Sequence, residues 1–196
     1  MKYLKFFDDV EHIIIYDDLT QFLGVNDDGI VEITYPDIVK AAGHSCATVA
    51  GAYLLAKEGL KALYEDELPQ RGYIKVELKK DPLEDNSGVV GSVISLITGA
   101  TKDFGFGGIP TGKYNRRDLL EFNANIQADV RFTNTKTGKQ VSVNYRPKKV
   151  VNPMEILKSA IKPDAAQEDI DSFGQRFQEM VKTVLDNTDK VIEVIK

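Results

Sequence analysis

One stretch, from about Ser45 to Tyr64, constrains this chain more than any other. Val49, Tyr53, Leu54, Leu60 and Leu63 recur on one face at helical spacing, and the small residues Ala47, Ala50, Gly51 and Ala52 crowd the same region. The pattern predicts a buried helix that lets its neighbours approach closely. Such a helix must be covered by other elements, which the rest of the chain has to supply.

On the N-terminal side, Phe6, Phe7, Val10, Ile13, Ile14 and Ile15 sit among Asp8, Asp9 and Glu11 and predict helical material. A short second turn starts at Asp17-Asp18 and ends at Gly24, and Ile30 to Tyr35 alternates as a strand. Pro36 opens a helix that Gly43 stops, which sets a kink between that helix and the long one. On the C-terminal side, Gly72 to Leu78 alternates as a strand, and Val89 to Thr98 predicts a second tightly packed helix ending at Gly99. Asn125 to Thr133 and Gln140 to Tyr145 flank an Asn-Thr-Lys-Thr-Gly-Lys turn and predict an antiparallel hairpin. After Pro147 the chain predicts a helical tail, with a short helix near Pro153 to Ala160 and a longer one from Asp164 to Leu185. The fold class expected is α+β: a central antiparallel sheet packed against long helices, with residues 1–150 as the domain and 151–196 as a helical extension. That extension packs on the same domain or on a partner subunit.

Composition narrows the partners. Of 196 residues, 42% are hydrophobic and 28% charged, and the formal net charge is -5, which argues against nucleic acid. No apolar run approaches the ~20 residues of a membrane span, and Met1 to Asp9 lacks a signal-peptide apolar core. With a single cysteine there is no internal disulfide, and the expectation is a cytoplasmic protein.

That cysteine carries the chemical interest. Gly43-His44-Ser45-Cys46-Ala47-Thr48 places Cys46 and one of two histidines a residue apart, where a helix N-terminus presents free N–H groups. Both neighbours favour a thiolate, and thiolate plus imidazole makes either a metal-ligand pair or a nucleophile–base pair. The plain alternative is a small buried hydrophobe beside a hydrogen-bonded histidine. His12 is the only other imidazole and the first candidate for a third ligand; it points either toward this site or to solvent. Asp85, in the loop before the second helix, is the candidate oxygen ligand or proton acceptor.

A second motif is a decoy. Gly107 to Lys113 has P-loop spacing, but Tyr114 replaces the magnesium-binding hydroxyl and Pro110 removes an N–H from the cradle. It predicts a glycine-rich loop instead, with Phe104 and Phe106 as an apolar lid over a site or as a plug at the core's edge.

Taken together, Gly43-His44-Ser45-Cys46, Asn86, Thr98-Gly99-Ala100-Thr101 and Phe132 to Lys139 resemble, in the same order, stretches of the FmdE-like family. That family takes its name from the operon of the molybdenum formylmethanofuran dehydrogenase, and the likeness spans residues 36–146. It implies an α+β domain, often dimeric, with a metal such as zinc near the histidine and cysteine. The sequence departs from the family where Ala47-Thr48 replaces Pro-Gly, and where Val89 and Ala100 stand in place of further cysteines. Only His44 and Cys46 carry over as ligands.

Two functions follow. In one, His44, Cys46 and His12 hold zinc or iron with an exchangeable position, and the ion acts as Lewis acid on a small molecule, with Cys46 and Asp85 as catalytic groups. In the other, the domain is a non-catalytic binding module for a metal, haem or organic cofactor. The apolar stripe of Phe173, Phe177, Met180, Val181, Val184 and Leu185 also predicts a homodimer.

Overall fold

A computed structural model describes residues 3–195. Within them the chain forms eight helices and two sheets, the mixed α+β class expected. The N-terminal stretch departs from the helical expectation. Lys5–Phe7 make a single 3-10 turn, and Ile13–Tyr16 form strand β1. Consecutive isoleucines lose rotamer freedom in a helix, whereas in a strand they alternate. Accordingly Ile13 and Ile15 are buried and Ile14 faces outward. Helix α1 (Asp18–Phe22) follows, capped by the Asp17 carboxylate, which accepts from the Leu19 and Thr20 N–H groups. Strand β2 (Ile30–Ile33) then returns antiparallel to β1.

Helix α2 (Tyr35–Ala42) begins with Thr34 and Asp37 bonding each other's backbone N–H and with Pro36 in its first turn. It ends at Gly43, in the left-handed conformation at φ 78°. Helix α3 (Ala47–Tyr64) is the long buried helix expected. Strand β3 (Ile74–Leu78) and helix α4 (Ser87–Thr98, stopped by left-handed Gly99) come next. The two-residue β4 (Leu120–Glu121), β5 (Val130–Asn134) and β6 (Gln140–Tyr145) complete the middle of the chain.

The tail is less purely helical than its composition predicts. Helix α5 spans Pro153–Ile161, but the single long helix expected next is two, α6 (Gln167–Asp171) and α7 (Phe173–Asp186). The Ser172 hydroxyl donates to the Glu168 carbonyl at 2.7 Å and the Arg176 guanidinium to the Asp169 carbonyl at 2.9 Å, so side chains satisfy the last acceptors of α6. Helix α8 (Thr188–Val191) then leads into strand β7 (Ile192–Ile195), which the sequence pattern does not predict.

The main sheet runs β4-β3-β5-β6-β7, antiparallel throughout except for the β3–β4 pair. Helix α3 lies across β5, β6 and β7, with α4 and α7 packed against it. Met180, Val181 and Val184 of α7 are buried in this contact, each contributing about 1.5–3 kcal/mol. The stripe that predicts a homodimer is therefore largely covered within one chain, and residues 151–195 pack on the same domain.

The approach of α3 to the sheet depends on its glycines. A Cβ at Gly51 would stand 2.3 Å from the Tyr145 ring, and one at Gly59 would stand 2.4 Å from the Phe132 ring, which is fully buried. Gly59→Ala is therefore expected to destabilise the protein by about 1–3 kcal/mol despite alanine's helix preference. Gly174→Ala in α7, where a Cβ meets nothing within 4 Å, is expected to stabilise by about 0.5–1 kcal/mol. Urea denaturation midpoints of the two variants, read against the parent, check both signs.

Candidate metal centre

The link between α2 and α3 is the candidate site. Gly43 sends its N–H back to the Val39 carbonyl and turns the chain out of α2, with no atom within 4 Å of where a Cβ would be. What the position requires is the left-handed backbone, which glycine adopts without penalty. Three residues later Cys46 is the N-cap of α3 in extended conformation, and its Sγ accepts the Val49 N–H at 3.4 Å. The thiol thus occupies the place where Ser or Asp commonly satisfies a free helix donor.

His44 is oriented from behind. Its Nδ1 lies 3.1 Å from the Ala42 carbonyl oxygen, an acceptor only, so Nδ1 carries the proton and donates. Nε2 then presents its lone pair outward, 3.4 Å from Cys46 Sγ. A backbone carbonyl fixing the tautomer through the remote ring nitrogen is the arrangement found behind metal-ligating histidines. His44 is exposed and Cys46 half-buried, so the pair opens to solvent.

Three further side chains support this turn. The Tyr35 hydroxyl and Ser45 Oγ are 2.8 Å apart, and the Tyr145 hydroxyl donates to the Ala47 carbonyl at 2.7 Å. Burial raises both phenols well above their usual range, and a charge at Cys46 pushes each further the same way, so both stay protonated beneath the site. From α7, Gln178 Nε2 donates to the Ser45 carbonyl at 3.0 Å, while its Oε1 is buried without a hydrogen-bond partner among the described residues. Sequence reasoning missed all three. Tyr145 and Gln178 lie 98 and 133 residues from the backbone groups they bind, and no local pattern marks them.

The other expected site residues are placed elsewhere. His12 Nδ1 pairs with Glu32 Oε1 at 2.6 Å, beside the β1–β2 ribbon. Asp85 is exposed and bound to Lys80, whose hydrogen bond and charge hold the carboxyl below the usual carboxylate range. A proton acceptor working near neutral pH needs the opposite shift. Among the described residues no group of three or more His, Cys, Asp and Glu side chains could hold a metal ion. His12 and Asp85 are thus not gathered with His44 and Cys46.

The glycine-rich loop is anchored beside the small sheet. Tyr114 stacks on Phe22 with ring centroids 5.1 Å apart, Thr101 Oγ1 donates to the Arg116 carbonyl, and Phe104 and Phe106 are exposed. The hydrogen bonds of His44 and Cys46 go to Ala42, Val49 and each other rather than to this loop. Among the described residues the loop follows α4 with no strand leading into it.

No family model matches the chain, and no curated protein does.

The anchor of the glycine-rich loop is an ion-paired carboxylate whose stabilisation depends on pH. Asp17 is buried and its two oxygens meet Arg71 Nη1 at 2.8 Å and Arg116 Nη2 at 2.7 Å. Burial alone would raise its pKa, but the Arg71 hydrogen bond and the charges of both guanidinium groups outweigh it, and the carboxyl is held low. The stabilisation is therefore present above the unfolded value of about 3.9 and is lost as pH falls through the lower folded value. Asp17→Asn is expected to cost about 3 kcal/mol at pH 7, because it strands the buried Arg116 guanidinium and removes a partner of the half-buried Arg71. It should also remove part of the parent's loss of stability below about pH 4, measured by urea denaturation across a pH range of roughly 2–7.

Proposed function

We propose that His44 and Cys46 form a two-donor metal site, for zinc or iron, whose remaining positions are open to water, a small molecule or a donor from a second copy of the chain. The observation that carries this reading is the 3.4 Å separation of Nε2 and Sγ with Nδ1 already tied to a backbone carbonyl. Zinc bonds of about 2.3 Å to sulfur and about 2.0–2.1 Å to nitrogen, set at a tetrahedral angle, put the two donors about 3.6 Å apart. The observed separation is within about 0.2 Å of that spacing.

The resemblance to FmdE-like proteins supports the same pair and the same class of ion. When bound, the ion supplies Lewis acidity toward a small molecule's oxygen or nitrogen. The chain's own contribution is orientation: Ala42 fixes the imidazole, the Val49 N–H holds the sulfur at the head of α3, and the two protonated tyrosines underlie the turn without competing for it. A binding module that holds the ion without turnover uses the same residues. A cytoplasmic location and a dimer are part of this proposal.

Metal content of protein purified without chelator or added metal, with circular dichroism on each variant, tests it. Stoichiometric zinc or iron is expected in the parent. His44→Ala and Cys46→Ser are each expected to lose at least ten-fold in occupancy with an unchanged spectrum, while His12→Ala and Asp85→Asn retain the parent's content. Full occupancy in His44→Ala would sink the reading. Occupancy that rises with protein concentration would place the third donor on a second copy.

A further inference from the structure

A cavity of about 640 Å³ lies at the end of the main sheet, between α3, the start of α4 and the turn that follows β6. Its size falls within the roughly 300–1,000 Å³ of small-molecule sites. The inner wall is apolar: Leu55 from α3, Leu78 from β3, Val90 from α4, Val130 from β5 and the ring of Tyr145. Leu55, Leu78 and Val130 are at most 2% exposed, so this wall belongs to the rigid core.

The rim is of a different kind. Lys80, Arg146, Lys148 and Lys149 line it against only two carboxylates, Asp85 and Asp129. Three of these four cations are ion-paired, partly with carboxylates outside the lining: Lys80 also lies 3.9 Å from Glu84, and Arg146 Nε lies 3.7 Å from Glu193. Both carboxylates are already engaged. Asp85 is bound to Lys80, and Asp129 Oδ2 accepts the Tyr145 N–H at 2.9 Å and Arg146 Nη1 at 2.6 Å. Lys149 pairs with Glu193, which does not line the cavity. Lys148 is exposed, and its ammonium makes no ion pair or hydrogen bond among the described residues. An apolar pocket beneath a rim whose unpaired charge is the Lys148 ammonium selects a ligand with an apolar body and an anionic head.

We propose that this cavity binds a small amphipathic anion, an apolar chain or ring system carrying one carboxylate or phosphate. The body lies against Leu78, Val90 and Val130, and the head meets Lys148 and Arg146 at the rim. His44 and Cys46 do not line the cavity. The site is therefore independent of the metal reading, though Tyr145 forms part of its wall and reaches the Ala47 carbonyl behind Cys46.

The test is a fluorescence titration of the full chain with 8-anilinonaphthalene-1-sulfonate, followed by displacement with octanoate, octyl phosphate and octanol. One saturable site is expected, with octanoate or octyl phosphate displacing the dye at least ten-fold more effectively than octanol; the stronger of the two names the head group. Val90→Trp, which fills the apolar wall, should weaken dye binding at least ten-fold with near-ultraviolet dichroism showing an intact core. Lys148→Glu breaks no ion pair and should weaken it several-fold, so the charge requirement stands on a variant that leaves the wall untouched. Cys46→Ser should bind the dye as the parent does, which separates this result from any failure of the metal site. Absence of saturable binding, equal displacement by octanol, or parental affinity in both Val90→Trp and Lys148→Glu would overturn the proposal.

Discussion

The closeness of α3 to the sheet is the constraint on which the rest of this structure depends. At Gly51 and Gly59 the aromatic rings of Tyr145 and Phe132 rest where side chains of the helix would otherwise stand. Protein interiors are packed densely enough that one added carbon at such a point is felt. With α3 held there, α4 and α7 have one surface to pack on, and the β5–β6 hairpin has its inner face covered. The elements that bear on the candidate centre are therefore positioned by contacts made to this one helix.

The centre inherits that rigidity. The first turn of α3 presents its N–H groups at a fixed point, and the Tyr145 ring admitted by Gly51 places a hydroxyl on the Ala47 carbonyl just behind the thiol. The imidazole is held from the other side by the end of α2. Two polar side chains on a short link between two capped helices have little freedom left to lose, and preorganisation of this sort lowers the cost of binding any ligand. The amphipathic cavity is built on the same helix but on a different portion of it, with Leu55 rather than Cys46 at its wall.

What was legible in the sequence was the local part. Pro36, Gly43 and Gly99 mark helix boundaries through backbone preferences that act over one or two residues, and all three sit where those preferences place them. The hairpin was legible because alternation and its turn are contiguous, although β5 begins at Val130, later than the alternation alone implies. His44 and Cys46 meet because a single residue separates them. Tertiary pairing decided the rest. Ile13 to Ile15 satisfy a helical or an extended pattern equally, and pairing with β2 selects the latter; Ile192 to Ile195 read as more tail until β6 offers them an edge. The expected convergence of His12 and Asp85 on the centre also fails. For His12 nothing local opposes it, and its partner Glu32 lies on a strand whose placement no short pattern reveals; Asp85 is claimed within its own turn by Lys80, five residues before it.

The position of β7 has a consequence for how the protein is made. Strand β6 keeps one row of backbone donors and acceptors unpaired until residues 192–195 lie along it. During synthesis from the N-terminus, β3, β5 and β6 emerge and can pair while that edge is still open, for as long as the ribosome takes to add the roughly fifty residues between, a matter of seconds at ordinary elongation rates of about 5–20 residues per second. An open edge is a template for pairing with a neighbouring nascent chain. Helices α5 to α8 are translated in that interval, so the stretch that forms the tail also sets how long the growing sheet must wait for its last strand.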